Sequence, residues 1–234
     1  MVGPHVTPED GVTGYIEDRT QGPACALAAA AATVYRNYFA PVDGHQGQTR
    51  ERQIDCLRDV GSALDNATER LWTMRNGYAL CTSKGLATIA QKLDALDVNE
   101  VDELRDRLRI GLHTGVQVTD AEDAACVVSQ AFCSALPVSY TNLPAADWQP
   151  FAALVLEGAY EATLWAGVLN AHRFSSRMLF LTQLGGGAFG NEPQWIHDAM
   201  RRALKKVAGL GLDVKIVSYR EPDRGLERLV REFA

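Results

Sequence analysis

The chain has 234 residues, 47% hydrophobic and 22% charged, with a formal net charge of -6. That composition excludes a fibrous or disordered chain and suffices for one substantial core or two small ones. The acidic balance, with a pI near 5.4, argues against a general nucleic-acid binder, because such proteins collect a basic face to displace counterions from phosphates.

No basic n-region followed by an apolar h-region opens the sequence. No stretch reads as the roughly 18 apolar residues of a membrane span, so a cytoplasmic protein with no membrane partner is expected. Cys25, Cys56, Cys81, Cys126 and Cys133 form no C-x-x-C pair and are odd in number, which disfavours a zinc knuckle and a disulfide scaffold. They read as reduced and mostly core thiols. One domain over 1–234 is expected, with an irregular arm at 1–20, a mainly helical part at 21–108 and an α/β ligand-binding core at 109–220.

After the polar arm, "QGPACALAAAAATVYRNYF" predicts a helix, with Pro23 suited to its first turn and alanines that permit close packing. "TRERQIDCLRDVGSALDNATERLW" spaces Ile54, Leu57, Val60 and Leu64 as the apolar face of a second helix, and "SKGLATIAQKLDAL" predicts a third. Then "LRIGLHTGVQV", "AACVVSQAFCSALPVSY" and "RMLFLTQL" read as strands, short and bounded by turn formers. A long helix, "DWQPFAALVLEGAYEATLWAGVLNA", precedes the last of these. Helix "PQWIHDAMRRALKKVAG" and strand "LDVKIVSY" follow it. Alternating strands and helices predict a parallel or mixed sheet covered on both faces.

Gly185-Gly186-Gly187-Ala188-Phe189-Gly190 fits G-x-G-x-x-G between a strand and a helix. A dinucleotide fingerprint opens the first βαβ unit and is followed by several more strands. Here the turn begins the last unit, and Pro193 starts its helix late, which disfavours hydride transfer. What survives is physical: glycines let amide groups approach an anion, and a helix N-terminus adds a favourable partial charge. Either the run cradles a diphosphate, with Phe189 against a ribose or ring, or it is a tight turn with Phe189 in the core.

The loop resembles the second phosphate loop of macrodomains. Together with "QGPACALAAAAATVYRNYF", "MRNGYAL", "VSQAFCSALPVSY" and "LVLEGAYEATL", it is similar to the divergent macrodomain group that includes the MavL-type ADP-ribosylhydrolases. The resemblance runs from about residue 20 to 220. It implies a macrodomain-like three-layer α/β/α sandwich with a mixed sheet and additional N-terminal helices. It also implies ADP-ribose bound in a cleft, an ADP-ribosylated protein as substrate, hydrolysis of ADP-ribosyl-arginine, and no cofactor or metal. ADP-ribose contacts are expected from Gln21, Gly22, Ser134, Gly185, Gly186, Gly187, Ala188, Phe189, Gly190 and Asn191. "SQAFCSALPVSY" departs from the Asn- and Gly-rich first loop of ordinary macrodomains.

"QVTDAEDAAC" places Asp120, Glu122 and Asp123 in one loop. A carboxylate is the natural partner of a guanidinium leaving group, and a second can orient water toward the anomeric carbon. Asp120 and Asp123 are the catalytic candidates; the alternative is a solvated acidic turn. Glu157 and Glu161, four apart on the long helix, favour structural pairing with arginine over catalysis. Asn37, Gln48, Asp55 and Asn76 are weaker ribose candidates. The five histidines make no metal spacing, and Cys133 reads as a core thiol rather than a nucleophile. A non-catalytic ADP-ribose reader and a hydrolase of small ADP-ribose derivatives remain alternatives.

Overall fold

A computed structural model of the chain describes residues 3–119, 121–123, 125–218 and 221–234. Helix covers 48% and strand 15%, so the fold is mixed α/β. The elements are α1 (Gln21–Ala28), α2 (Ala30–Tyr38), β1 (Pro41–Val42), β2 (His45–Gln46), α3 (Arg58–Ala63), β3 (Trp72–Arg75), β4 (Tyr78–Cys81), α4 (Ser83–Asp94), α5 (Val98–Asp106), β5 (Gly111–Gln117), β6 (Val127–Phe132), α6 (Ala145–Phe174), β7 (Met178–Thr182), α7 (Pro193–Val207), β8 (Asp213–Val217) and α8 (Arg224–Phe233). Short 3-10 turns occupy Pro8–Asp10, Thr13–Ile16 and Val138–Tyr140.

Two compact units result. One comprises Met1–Asp55, Met74–Ala79 and Gly111–Phe132; the other comprises Cys56–Thr73, Leu80–Ile110 and Cys133–Ala234. The strands at 111–132 thus belong with the first helices, and the helices from 58 to 106 with the C-terminal half. Burial partners, rather than order along the chain, decide that partition. The described strands form four two-stranded sheets, in place of the single sheet expected from their alternation with helices.

In the first unit the alanine-rich helix is broken. Ala29 leaves the helical region (φ -128°, ψ 60°), because Thr119 takes the groups on either side: its N–H donates to Ala28 O at 2.8 Å, and its Oγ1 accepts from Ala30 N at 3.1 Å. Strands β5 and β6 pair antiparallel from Gly111 opposite Phe132 to Gln117 opposite Val127. An irregularity between His113 and Val116 includes Gly115 at φ 67°. Small residues, Ala29 and Ala32, pack there against Val116 and Phe132. The Arg36 guanidinium lies 4.5 Å from the Phe132 ring centroid and donates to the Tyr15 hydroxyl at 2.7 Å. Asn76 and Gly77 turn the β3–β4 hairpin with positive φ of 48° and 83°, the geometry that Asn-Gly favours.

The second unit is built on a β7–α7–β8 crossover with parallel pairing, from Met178 opposite Asp213 to Thr182 opposite Val217. Apolar side chains of α7 recur at helical spacing, and Ile196, Met200 and Ala203 pack with Leu156 and Leu164 of α6, Leu181 of β7, and Leu226 and Leu229 of α8. Burying each such leucine contributes on the order of 2 kcal/mol. Because α4, α5 and α7 all pack on α6, this helix is apolar on several faces. By length and composition α6 is long and apolar enough to cross a membrane, contrary to the sequence reading, although half of its apolar window is buried within the protein. The predicted second helix shrinks to α3, since the Asn66 side chain accepts from Leu71 N and donates to Trp72 O, turning the chain toward β3. Helices α5 and α8 begin at Asp97 and Asp223, each of which accepts two amide hydrogen bonds in the first turn.

Charged side chains tie α5, α6 and α7 together. Arg105 Nε meets Glu157 Oε2 at 2.6 Å, Arg202 Nη1 meets Glu161 Oε2 at 2.5 Å, and Lys206 Nζ meets Glu161 Oε1 at 2.7 Å, while Asp102 pairs with both Arg105 and Arg202. Glu157 and Glu161 are thus structural partners of cations, as their helical spacing led us to expect. Burial alone pushes the Asp102 carboxyl up, but the Arg105 hydrogen bond and the charges of Arg202 and Lys206 hold it below its ordinary value. For Arg202, burial works against the charge, and Glu161 and Asp102 more than offset it, raising its pKa.

Candidate functional site

The glycine run leaves the end of β7 as a braced loop. Tyr160 of α6 donates its hydroxyl to Thr182 O at 2.7 Å and accepts from Leu184 N at 2.8 Å. Gly186 N donates to Gln183 O, Gly190 N to Gly187 O and Asn191 N to Gly185 O. Burial pushes the Tyr160 pKa up, so the hydroxyl stays protonated and keeps its donor role.

Residues 135–140, from the other expected ligand segment, pack directly on this loop. Asn191 is 2% exposed, and its Nδ2 donates to Leu136 O at 2.8 Å and Gly185 O at 3.3 Å. Ser139 N donates to Phe189 O at 2.9 Å, and the rings of Tyr140 and Phe189 meet edge to face at 5.4 Å. Gly185 and Gly190 are required by this approach. Both have positive φ, 76° and 69°, and a Cβ would run into Ala135 Cβ at Gly185 and into the Ser139 side chain at Gly190. Gly187 has nothing within 4 Å of the corresponding position, so packing does not demand it. Phe189 is half-buried against the core cluster, and Trp195 packs there too, which joins a core role to an exposed edge.

The N–H groups of Ser134, Ala135, Leu136, Gly185, Gly187 and Ala188 make no hydrogen bond among the described residues. Ala135 and Leu136 are 5% and 2% exposed, so their unmatched donors are costly unless something accepts from them. Ser134 itself is exposed, with its hydroxyl donating to Ala135 O at 3.1 Å. No charged side chain occurs in 133–140 or 183–191, so any attraction for an anion there comes from main-chain dipoles. Glu192 takes the N-cap position of α7 without a side-chain cap bond, and Pro193 opens the helix.

Gln21, Gly22 and Asp123 belong to the first unit, Ser134 and Gly185–Asn191 to the second. Gln21 and Gly22 start α1, where Thr20 provides no side-chain cap and the Gln21 and Gly22 amides are unpaired among the described residues. Asp123 Oδ1 accepts from Ala125 N at 2.8 Å, and Asp123 O accepts from Cys126 N at 2.9 Å, which makes a local turn around an exposed carboxylate. Asp120 lies outside the described residues.

Three of the weaker ribose candidates are spent on tethering. Asn37 Nδ2 donates to Pro8 O, Gln48 bonds Arg36 O and Ile54 N, and Asn76 bonds Pro4 O and the Gln53 side chain. Burial pushes the Cys133 thiol up, and Sγ lies 3.7 Å from Thr163 Oγ1, which suits a packed thiol. Cys25 and Cys126 are exposed, unlike the core thiols expected. The described residues contain no His, Cys, Asp and Glu cluster able to hold a metal. Sequence reading missed Tyr160 and Leu136, because a core tyrosine and a carbonyl carry no local signal of the loop they hold. No family model, no curated protein and no solved structure matches the chain.

Proposed function

We propose that this protein is an ADP-ribosylhydrolase that frees ADP-ribose from modified arginine, with a macrodomain-like arrangement around β7 and α7. The observation that carries the reading is the packing of 134–140 on 185–191, two segments in which six amides find no acceptor among the described residues. A diphosphate supplies acceptors of the right charge, and neutral amides bind it without the desolvation of a buried cation. Phe189 and Tyr140 offer apolar surface beside it.

The sugar chemistry is assigned by residue type to Asp120 and Asp123. One carboxylate accepts two N–H bonds from the guanidinium; the other takes a proton from water as the oxygen attacks the anomeric carbon. The C–N bond breaks, its electron pair and a proton go to the guanidino nitrogen, and free ADP-ribose and arginine result.

A second reading, binding without turnover, is favoured by two facts: the two packed segments contain no carboxylate, and Asp123 already accepts from Ala125. The deciding experiment measures ADP-ribose binding by calorimetry and release of ADP-ribose from arginine-modified protein. Ala188 sits second in the turn closed by Gly190 N and Gly187 O, a position that tolerates proline. Ala188→Pro deletes one free amide, and binding about ten- to a hundredfold weaker is expected from the loss of one hydrogen bond to a charged group. Asp123→Ala is expected to keep binding and lose release. Binding with no release by the unaltered chain selects the reader, release from serine or glutamate linkages removes the arginine assignment, and no binding removes both.

A further inference from the structure

Among the described residues, strand β8 is paired along one edge only, with β7. An open edge with alternating side chains is a template for another strand. Leu212, Val214 and Ile216 are partly buried on the core cluster, while Asp213, Lys215 and Val217 are exposed on the opposite face. A groove of about 540 Å³ opens between β8 and α8, lined by Ile216, Leu226 and Val230 together with Ser218, Glu227 and Arg231.

Lysine on an edge strand commonly blocks pairing. Here it stands on the same face as Asp213, whose Oδ1 it meets at 2.9 Å, so the strand carries both halves of a charge pair. We propose that the β8 edge associates with the same edge of a second copy of this chain, antiparallel about a two-fold axis. Val214 then stands opposite the second copy's Val214, Asp213 opposite its Lys215, and Leu212 opposite its Ile216. Charge complementarity selects this register. A shift of two residues sets aspartate against aspartate or lysine against lysine, and a shift of one turns the apolar residues to the wrong face.

The test is self-association measured by sedimentation across a concentration series. The unaltered chain is expected to dimerise. Lys215→Asp and Asp213→Lys each place like charges opposite one another twice, and each is expected to weaken association about tenfold or more. Both side chains are about half exposed, at 55% and 51%, so each variant is expected to fold, which circular dichroism checks. The equimolar mixture restores both opposite-charge pairs, so it is expected to associate as tightly as the unaltered chain. A chain that stays monomeric at its highest soluble concentration overturns the proposal, as do single variants that dimerise normally or a mixture no tighter than its components. The outcome is independent of ADP-ribose binding.

Discussion

Residues 184–191 are held by bonds that reach far along the chain: Tyr160 on α6 fixes Leu184, and Asn191 and Phe189 are tied to Leu136 and Ser139. The described residues of 118–126 bond mainly with one another, Val118 to Cys126 and Asp123 to Ala125 and Cys126, with Thr119 anchoring the near end at α1 and α2. The first kind of bracing fixes main-chain donors before any ligand arrives. The second leaves a carboxylate exposed on a short turn. An anion cradle needs fixed dipoles, whereas an acid that exchanges protons with water needs access.

The largest expected effect comes from Asn191→Asp, which replaces two buried donors with a charge facing carbonyl oxygens. Thermal denaturation is expected to show a loss of about 3 kcal/mol or more. Asp123→Asn in the other loop is expected to cost under about 1 kcal/mol; equal losses would erase the contrast between the loops. Next is the glycine pair. Gly185→Ala meets both a positive φ and Ala135, for a loss of about 2–3 kcal/mol, while Gly187→Ala enters open space and is expected to stay within about 0.5 kcal/mol. If both are tolerated, the loop is not held as described.

Tyr160→Phe removes the hydroxyl between Thr182 and Leu184, an expected loss of about 1–2 kcal/mol that chemical denaturation resolves. The smallest effect is acid-dependent. Asp102 has a folded pKa below its ordinary 3.8, so the unfolded chain takes the proton first. Its stabilisation is complete above that ordinary value and fades as pH falls through the lowered one. Asp102→Asn is expected to flatten the acid limb of a melting-temperature profile below about pH 4, and an unchanged limb would show that the α5–α6–α7 charges do not act together.

Much of this was legible in the sequence. Helical spacing marks α4, α6 and α7, and short β-branched runs mark β5 to β8. Local signals also announce what we did not predict: Asn76-Gly77 for the β3–β4 hairpin, and the Asp97 and Asp223 caps for α5 and α8. Nothing local announces the break at Ala29, because its cause is Thr119, some ninety positions away. The glycine run was visible as a turn, but which glycines are obligatory was not, since Ala135 and Ser139 impose that only after folding.

What the sequence alone determined is the periodicity of its elements and the small, uncharged chemistry of the loop after β7, because both depend on neighbours a few residues apart. Only the tertiary structure decided which cations Glu157 and Glu161 pair with, that 134–140 closes on 185–191, and that six amides there find no acceptor among the described residues. Those outcomes depend on which distant groups share a desolvated space, and no local pattern encodes that.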